Sequence, residues 1–265
     1  MIINIIFSKR KGVFNMPPVS YAVDILPTQF HIVFPEENDS SFMLLSGREL
    51  LKHEVCVRLL EEWSERMKVN SLSVVASQFS KHYSFTVVVP ALYAMSALNE
   101  RLDFSPDNVR IQTTWQHQRL NMQLQLRDWK AQPMREKNRK FLREQLLTSL
   151  FTHHIAPLWH QLHRLTGIPL SILWENLAGY IYWLYESKLK EDDQVNPSLA
   201  QDDFHYLLSG AEAGMFREKV QPIGRYYAGA QARVRKTCCL YYLASEDQVC
   251  CQNCPRLQQR GPANG

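Results

Sequence analysis

Apolar residues recur at the spacing of a helix face along most of this chain. Leu51 and Val55 begin one such stripe, which predicts a helix over residues 47–68. Ser46 and Glu49 stand at its start in the pattern of a capping box. The same period predicts further helices over residues 71–85, 86–102, 133–166, 169–191 and 196–210.

Prolines and glycines mark where several of these helices begin and end. Pro90 kinks or starts the helix in which it lies, and Gly167 is placed to stop the long helix before it. Pro197 and Gly210 bound the last of the predicted helices. The helix over residues 169–191 is apolar almost all round, so we expect it at the centre of the molecule.

A two-residue period replaces the helical one in the middle of the chain. Residues 109–115 ("VRIQTTW") and 120–129 ("LNMQLQLRDW") alternate apolar and polar positions, which predicts a two-stranded antiparallel ribbon. Beyond residue 210 the pattern thins into an irregular, glycine-containing stretch that carries most of the cysteines. The predicted fold is a predominantly helical α+β body with a small β ribbon and an irregular C-terminal segment.

Composition narrows the class of protein. The chain has 265 residues, 45% of them apolar, and a formal net charge of +4, which is too mild to indicate nucleic-acid binding. No stretch approaches the roughly 18 apolar residues of a membrane span, so the chain is not predicted to be transmembrane. The opening "MIINIIF" precedes its basic residues, the reverse of a secretory signal, and the expected location is the cytoplasm.

Cysteine is concentrated near the C-terminus. Five of the six cysteines lie within residues 237–255, "TCCLYYLASEDQVCCQNCP". Clustered cysteines in a reducing compartment are typical of metal ligands or redox centres rather than structural disulfides. Cys56 stands alone at an apolar helical position and is predicted to be a core residue.

The spacing of the clustered cysteines fits two soft-metal sites. Cys238 and Cys239 are adjacent, and Cys251 and Cys254 form a Cys-x-x-Cys pair. Structural zinc sites usually use two spaced pairs, for which an adjacent pair is awkward. A [2Fe–2S] cluster has two irons that each need two thiolates, so neighbouring side chains can diverge and still reach it. The spacing favours the cluster, and a zinc-stabilised helical interaction module without redox activity is the alternative.

Four histidines lie together in a predicted helix, but their surroundings do not indicate a metal site. They are His153, His154, His160 and His163. No carboxylate stands beside them at metal-binding spacing, and Pro157 interrupts the helix face. The chain also lacks the glycine patterns that bind dinucleotides or nucleoside triphosphates, so a bound nicotinamide, flavin or ATP is not predicted.

The stretch "VRKTCCLYYLASEDQVCCQNCP" resembles the C-terminal signature of the FhuF-like ferric siderophore reductases, in which an adjacent Cys-Cys and a Cys-x-x-Cys bind [2Fe–2S]. Upstream, "ILWENLAGYIYWL" is similar to the family's Leu-Trp-x-Asn helix, and "VVVPALYAMSALNERLDFSPDNVRI" to its proline-containing helix and the strand that follows. The resemblance runs from about residue 85 to residue 255. It implies a siderophore-reductase-like body over residues 1–228, a [2Fe–2S]-binding segment over 229–256 and a disordered tail over 257–265.

The resemblance implies which thiols bind the cluster. It assigns the ligand roles to Cys238, Cys239, Cys251 and Cys254. The family's spacer between the two pairs is usually ten residues, whereas eleven separate Cys239 from Cys251. Cys250 stands at the ten-residue spacing and is therefore the alternative to Cys251.

The family resemblance also implies a reaction and its partners. The expected activity is a one-electron reduction of Fe(III) in an imported siderophore, with hydroxamates the favoured class. The expected electron donor is external: a ferredoxin, a flavodoxin or an NAD(P)H-dependent reductase. Basic residues near the cysteines could attract an anionic ligand or partner, and two residues match the family's tryptophan–asparagine helix. These candidate binding residues are Arg225, Arg233, Arg235, Lys236, Trp174 and Asn176.

Overall fold

The computed structural model is predominantly helical with small antiparallel sheets, which confirms the predicted fold class. It describes residues 20–30, 32–34, 43–116, 119–229, 234–245 and 247–259. The opening "MIINIIF" and the candidate residue Arg233 lie outside the described residues. Of the predicted tail, residues 257–259 belong to the last helix and residues 260–265 lie outside the described part.

Among the described residues, the N-terminal part of the chain contains three helices and one strand, and the sequence predicted the start of one of these helices. In chain order they are α1 (Ala22–Phe30), β1 (Met43–Ser46), α2 (Gly47–Leu50) and α3 (His53–Met67). Ser46 and Glu49 form the predicted capping box on α2. The single helix predicted from residue 47 was wrong in one respect, because Lys52 is extended and separates α2 from α3.

The next two predicted helices form one continuous helical stretch. Its parts are α4 (Leu72–Tyr83), a π-helical turn (Ser84–Val88) and α5 (Val89–Ser96). Pro90 lies in the first turn of α5, and the π turn just before it shifts the hydrogen-bond register at the point where the proline has no N–H to donate. The helix ends at Ser96 instead of continuing to residue 102, because Glu100 and Arg101 are extended.

A second π-helical segment precedes Pro157, as the first precedes Pro90. The elements are α6 (Arg139–Leu147), a π turn (Thr148–Ile155) and α7 (Ala156–Thr166). Pro157 again falls in the first turn of the helix that follows. α7 ends at Gly167 as predicted, in a left-handed conformation with a φ of 72° that glycine adopts without a steric penalty.

The β structure is larger than the predicted ribbon. The remaining strands are β2 (Glu100–Arg101), β3 (Val109–Gln116), β4 (Arg119–Leu126) and β5 (Gln132–Pro133). The predicted antiparallel pair is β3 with β4, in a register that places Ile111 opposite Leu124 with both side chains buried. β1 extends this pair to three strands, and β2 pairs with β5.

The predicted central helix is central. It is α8 (Leu170–Glu186), which packs against α4, α5 and α7. α9 (Pro197–His205) begins at the predicted proline, and the π turn that follows it ends at Gly210. The chain then continues through short 3₁₀ turns to α10 (Pro255–Gln259). Two polar residues of α8, Glu175 and Asn176, are buried within this apolar helix, and both face the cysteines.

Candidate metal centre

The cysteine segment, residues 234–259, is held against the helical body by side chains of α4. The carbonyl oxygen of Cys239 accepts a hydrogen bond from Ser77 Oγ at 2.6 Å and another from Gln78 Nε2 at 2.8 Å. Both donors are buried, so water does not compete for them. The position of the adjacent cysteine pair is therefore fixed by the helix that it packs against.

The four predicted ligands lie together as two pairs. The Sγ atoms of Cys239 and Cys251 are 3.6 Å apart, and the pKa of Cys238 is raised most by burial and further by the thiol of Cys254, which lies close to it. Two thiolates on one tetrahedral metal with bonds of about 2.3 Å stand about 3.8 Å apart, so the separation of Cys239 and Cys251 is suited to one metal. In the part of the chain that the structure describes, no three His, Cys, Asp or Glu side chains surround a single metal position.

Backbone N–H groups are directed at the adjacent pair. Leu240 has a left-handed conformation with a φ of 59°, which costs a non-glycine residue about 1–2 kcal/mol. The turn directs the N–H of Leu240 at the sulfur of Cys238 and the N–H of Tyr241 at the sulfur of Cys239. Such concave arrays of N–H groups bind anions, iron–sulfur clusters among them. Paired thiols and N–H donors to sulfur fit the predicted [2Fe–2S] group.

The Cys-x-x-Cys pair is shaped by a tight turn. The N–H of Cys254 donates to the carbonyl oxygen of Cys251 at 3.0 Å, which folds the two residues toward each other. The carbonyl oxygen of Asn253, inside the turn, accepts from the N–H of Arg235 at 2.9 Å. This second bond joins the turn to the chain just before the adjacent pair. It brings cysteines that are more than ten residues apart in sequence into one site.

The surroundings of Cys239 favour its thiolate. Hydrogen bonding with Cys251 lowers the pKa of Cys239, and the charge of Lys81, the N–H of Tyr241 and the charge of Arg235 lower it further against the effect of burial. The same hydrogen bond raises the pKa of Cys251, so the two thiols share one proton. Metals bind thiolates, and positive surroundings stabilise them.

Glu175 anchors the residues that lead into the site. Its carboxylate accepts the N–H of Lys236 at 2.7 Å and the N–H of Thr237 at 2.6 Å, and it also accepts the hydroxyl of Thr237. The residue is only 4% exposed. Hydrogen bonds to a buried charge are stronger than those between neutral groups. Glu175 was not among the residues predicted from the sequence, although a carboxylate in an otherwise apolar helix was the available signal.

Asn176 connects three parts of the site. Its side-chain NH₂ donates to the hydroxyls of Ser77 and Ser80 and to the carbonyl oxygen of Ser77. Its side-chain oxygen accepts from Nη2 of Arg235 at 2.6 Å. Both the NH₂ group and the oxygen of this buried amide are therefore bonded within the protein. Its role here is to hold α4, α8 and Arg235 in register.

The remaining candidate binding residues occupy different places. Trp174 is 2% exposed and its indole N–H donates to Glu218, so it belongs to the core and is not placed to touch a ligand. Arg225 and Lys236 are exposed and adjacent, with Nζ of Lys236 2.8 Å from the carbonyl oxygen of Arg225. Arg235 is half-buried beside Cys239 and Cys251. Of these four candidates, the structure places only Arg235 next to the thiols.

Two residues of metal-binding types that the sequence did not assign to a site, His154 and Cys56, lie in the core. His154 is fully buried, with Nδ1 2.8 Å from the carbonyl oxygen of Phe104 and Nε2 2.6 Å from the hydroxyl of Tyr83. Burial lowers the pKa of His154 to about 4, so the ring is neutral at pH 7. Cys56 is 1% exposed in the core, and burial raises its pKa to about 12.

No helix among the described residues is both long and apolar enough to cross a membrane.

Comparison with known protein families shows the family to which the chain belongs. The family model described as "Ferric iron reductase FhuF-like transporter" matches residues 77–234, which is more than half of the chain. The chain belongs to the FhuF-like ferric iron reductase family. The matched part of this FhuF-like protein runs from α4 to Val234 and contains Glu175 and Asn176. It ends before Cys238, so the cysteine ligands lie outside the match. No curated protein matches the chain.

Proposed function

We propose that the protein is a ferric siderophore reductase that uses a [2Fe–2S] cluster bound by Cys238, Cys239, Cys251 and Cys254. The observation that carries the proposal is the pairing of these thiols, with Cys239 and Cys251 3.6 Å apart, in a chain of a ferric iron reductase family. The pair formed with Cys251 favours this residue over Cys250 as the third ligand.

The proposed reaction needs one electron for each iron. Hard oxygen donors such as hydroxamates hold Fe(III) strongly and Fe(II) weakly, so reduction of the bound iron releases it. A bound [2Fe–2S] cluster supplies this electron at a potential set by charge, hydrogen bonds and exposure. We expect hydroxamate siderophores as substrates and the cytoplasm as the location.

The residues of the chain have separate tasks in this proposal. The four thiolates bind the cluster, and the N–H groups of Leu240 and Tyr241 stabilise the charge on sulfur. Cys239 is 1% exposed and its carbonyl is held by α4, so its own position is rigid and dry. Cys251 is half-buried and lies on the side from which a substrate can approach.

The electron must come from another protein. The chain has neither a dinucleotide fingerprint nor a P-loop, so we expect a ferredoxin, a flavodoxin or an NAD(P)H-dependent reductase as the donor. Arg225 and Lys236, the second of which belongs to the cysteine segment, form an exposed basic pair. Acidic redox partners are attracted by such a surface. We propose this pair as part of the docking site for the donor.

Anaerobic purification followed by metal analysis and spectroscopy tests the proposal. We expect a red-brown protein with two irons per chain, bleached by dithionite, and an EPR signal only in the reduced state. Reduced protein with an NADPH-driven flavodoxin system should then release Fe(II) from a ferric hydroxamate, whereas NADPH alone should not. A colourless protein with one zinc per chain would instead establish the zinc-stabilised interaction module.

A further inference from the structure

A cavity of about 440 Å³ opens directly beside two of the predicted cluster ligands. Its walls come from α4, the π turn that follows α4, α8 and the cysteine segment. Cys239 and Cys251 line one end of it. Neither Cys238 nor Cys254 is among the residues that line this cavity. The cavity therefore faces one thiol pair and not the other.

Aromatic side chains form one wall of the cavity. The ring of Phe85 lies 5.6 Å from that of Tyr180 and 5.9 Å from that of Trp183, measured between centroids. Trp183 is 40% exposed, a large apolar surface to leave in water on the central helix. Rigid aromatic faces of this kind bind organic ligands with little loss of conformational entropy.

Cationic donors stand at the same end of the cavity as the thiols. Lys81 and Arg235 both line it. Nη2 of Arg235 is used by Asn176, but Nε is buried and has no hydrogen-bond acceptor among the described residues. The closest approach recorded for it is 3.9 Å, to a Glu175 carboxylate that already accepts three other hydrogen bonds. These contacts hold the guanidinium group of Arg235 in the cavity wall, where its charge attracts a ligand with oxygen acceptors.

Gly179 keeps the cavity open. It lies in the interior of α8, where glycine destabilises a helix by about 1 kcal/mol relative to alanine. Packing does not explain this choice, because a Cβ built on Gly179 would meet no atom within 4 Å. The residue is exposed and lines the cavity between Asn176 and Trp183. A larger side chain at this position would project into the space and fill it.

We propose that this cavity is the binding site for the ferric substrate, an oxygen-donor iron chelate of the hydroxamate class. The inference rests on the proposed function and adds the position and contacts of the substrate. The organic face of the chelate packs on Phe85, Tyr180 and Trp183, and its oxygens accept hydrogen bonds from Lys81 and Arg235. Because the cavity is open to solvent, it holds the chelate by one face, next to Cys239 and Cys251.

Binding of a redox-inert chelate separates this inference from the reductase activity. Gallium(III) replaces Fe(III) in desferrioxamine with the same charge but is not reduced, so titration calorimetry of the cluster-loaded protein with this complex measures binding alone. We expect Gly179→Leu to weaken binding by at least about tenfold, which corresponds to about 1.4 kcal/mol. Gly179→Ala is the matched control and should bind within about twofold of the wild type.

A second variant keeps the test decisive if Gly179→Leu does not fold. Trp183→Ala should weaken binding of the gallium complex by about two- to tenfold, because one aromatic contact contributes about 0.5–1.5 kcal/mol. Phe141→Ala, at an aromatic residue of α6 that is 61% exposed, should leave binding unchanged. Both variants and Gly179→Leu should keep the cluster spectrum and the circular dichroism of the wild type.

The outcomes distinguish the two claims. If the gallium complex binds, Gly179→Leu prevents it and the ferric complex is never reduced, the cavity is a binding site and the proposed function fails. If the ferric complex is reduced but Gly179→Leu and Trp183→Ala bind the gallium complex like the wild type, the cavity assignment is overturned. Absence of any binding of the gallium complex to the wild-type protein also overturns it.

Discussion

The carboxylate of Glu175 accepts hydrogen bonds from both the backbone N–H and the side-chain hydroxyl of Thr237, the residue that immediately precedes Cys238. The contact joins the central helix to a segment with little regular structure of its own. Glu175 also accepts the N–H of Lys236. The buried side chain of Glu175 therefore fixes the position of the two residues that precede Cys238 and Cys239.

Glu175→Ala should loosen the cysteine segment while the helical body stays folded. The change leaves two backbone N–H groups unpaired, and hydrogen bonds to a charged group contribute about 1.5–3 kcal/mol each. We expect the free energy of unfolding, measured in urea, to fall by at least about 1.5 kcal/mol, together with the iron content. Glu191→Ala, at an exposed glutamate, is the control. Unchanged iron content in Glu175→Ala would refute this anchoring role.

Serine substitutions should separate ligands from bystanders. Cys238→Ser, Cys239→Ser, Cys251→Ser and Cys254→Ser should each abolish the native visible and EPR spectra, because each removes one of the four thiolates of the cluster.

The controls for this series are the two other cysteines. Cys250→Ser and Cys56→Ala should retain the native spectrum, since Cys251 makes the short contact with Cys239 and Cys56 lies in the core. A native spectrum in Cys251→Ser together with its loss in Cys250→Ser would show that the ten-residue spacing decides the ligand.

The exposed basic pair should control the rate of reduction by an acidic donor. In Arg225→Gln/Lys236→Gln we expect reduction by flavodoxin to slow by about two- to tenfold at low salt. The difference should shrink above about 0.1 M salt, where the Debye length is about 10 Å. Stopped-flow absorbance at several ionic strengths measures it, with Lys52→Gln/Lys130→Gln as the charge-matched control. Equal loss in both double variants would indicate an effect of net charge rather than of this surface.

His154 should make the fold less stable in mild acid. Its pKa is about 4 in the folded protein because it is buried, against about 6.5 when unfolded. Between these values the unfolded chain binds a proton that the folded protein does not, so stability falls as the pH falls, by up to about 1.4 kcal/mol per pH unit. Urea unfolding of the wild type and of His154→Gln from pH 7 to pH 4.5 tests this. The variant should have the shallower slope, and parallel slopes would exclude the effect.

The sequence predicted the long elements because their patterns repeat. The helical stripe of α8, the alternation in β3 and β4 and the stops at Gly167 and Gly210 are all local signals. β2 and β5 have two residues each, too few to show a period, and they form only because they meet in space. The extended residue between α2 and α3 likewise interrupts a stripe that continues on both sides of it.

The sequence pointed to the cysteines of the candidate site but not to the residues that hold them in place. The clustered cysteines were a clear signal, because few roles other than metal binding or redox chemistry need so many thiols so close together in a sequence. Glu175 and Asn176 bond to residues that are 59 to 99 positions away, and most of these partners are backbone groups or serines. Only the fold shows that these partners converge. The same is true of Gly179, whose importance lies in the space beside it.

A single-turnover reaction tests the central claim most directly. Protein reduced with dithionite and freed of excess reductant is mixed anaerobically with a ferric hydroxamate in the presence of ferrozine, an Fe(II) trap. We expect the EPR signal of the reduced cluster to disappear as Fe(II) appears, with at most one Fe(II) per cluster, because the cluster loses one electron and one Fe(III) gains it. A reduced signal that persists, with no Fe(II) formed from any ferric siderophore offered, would contradict the assignment as a reductase.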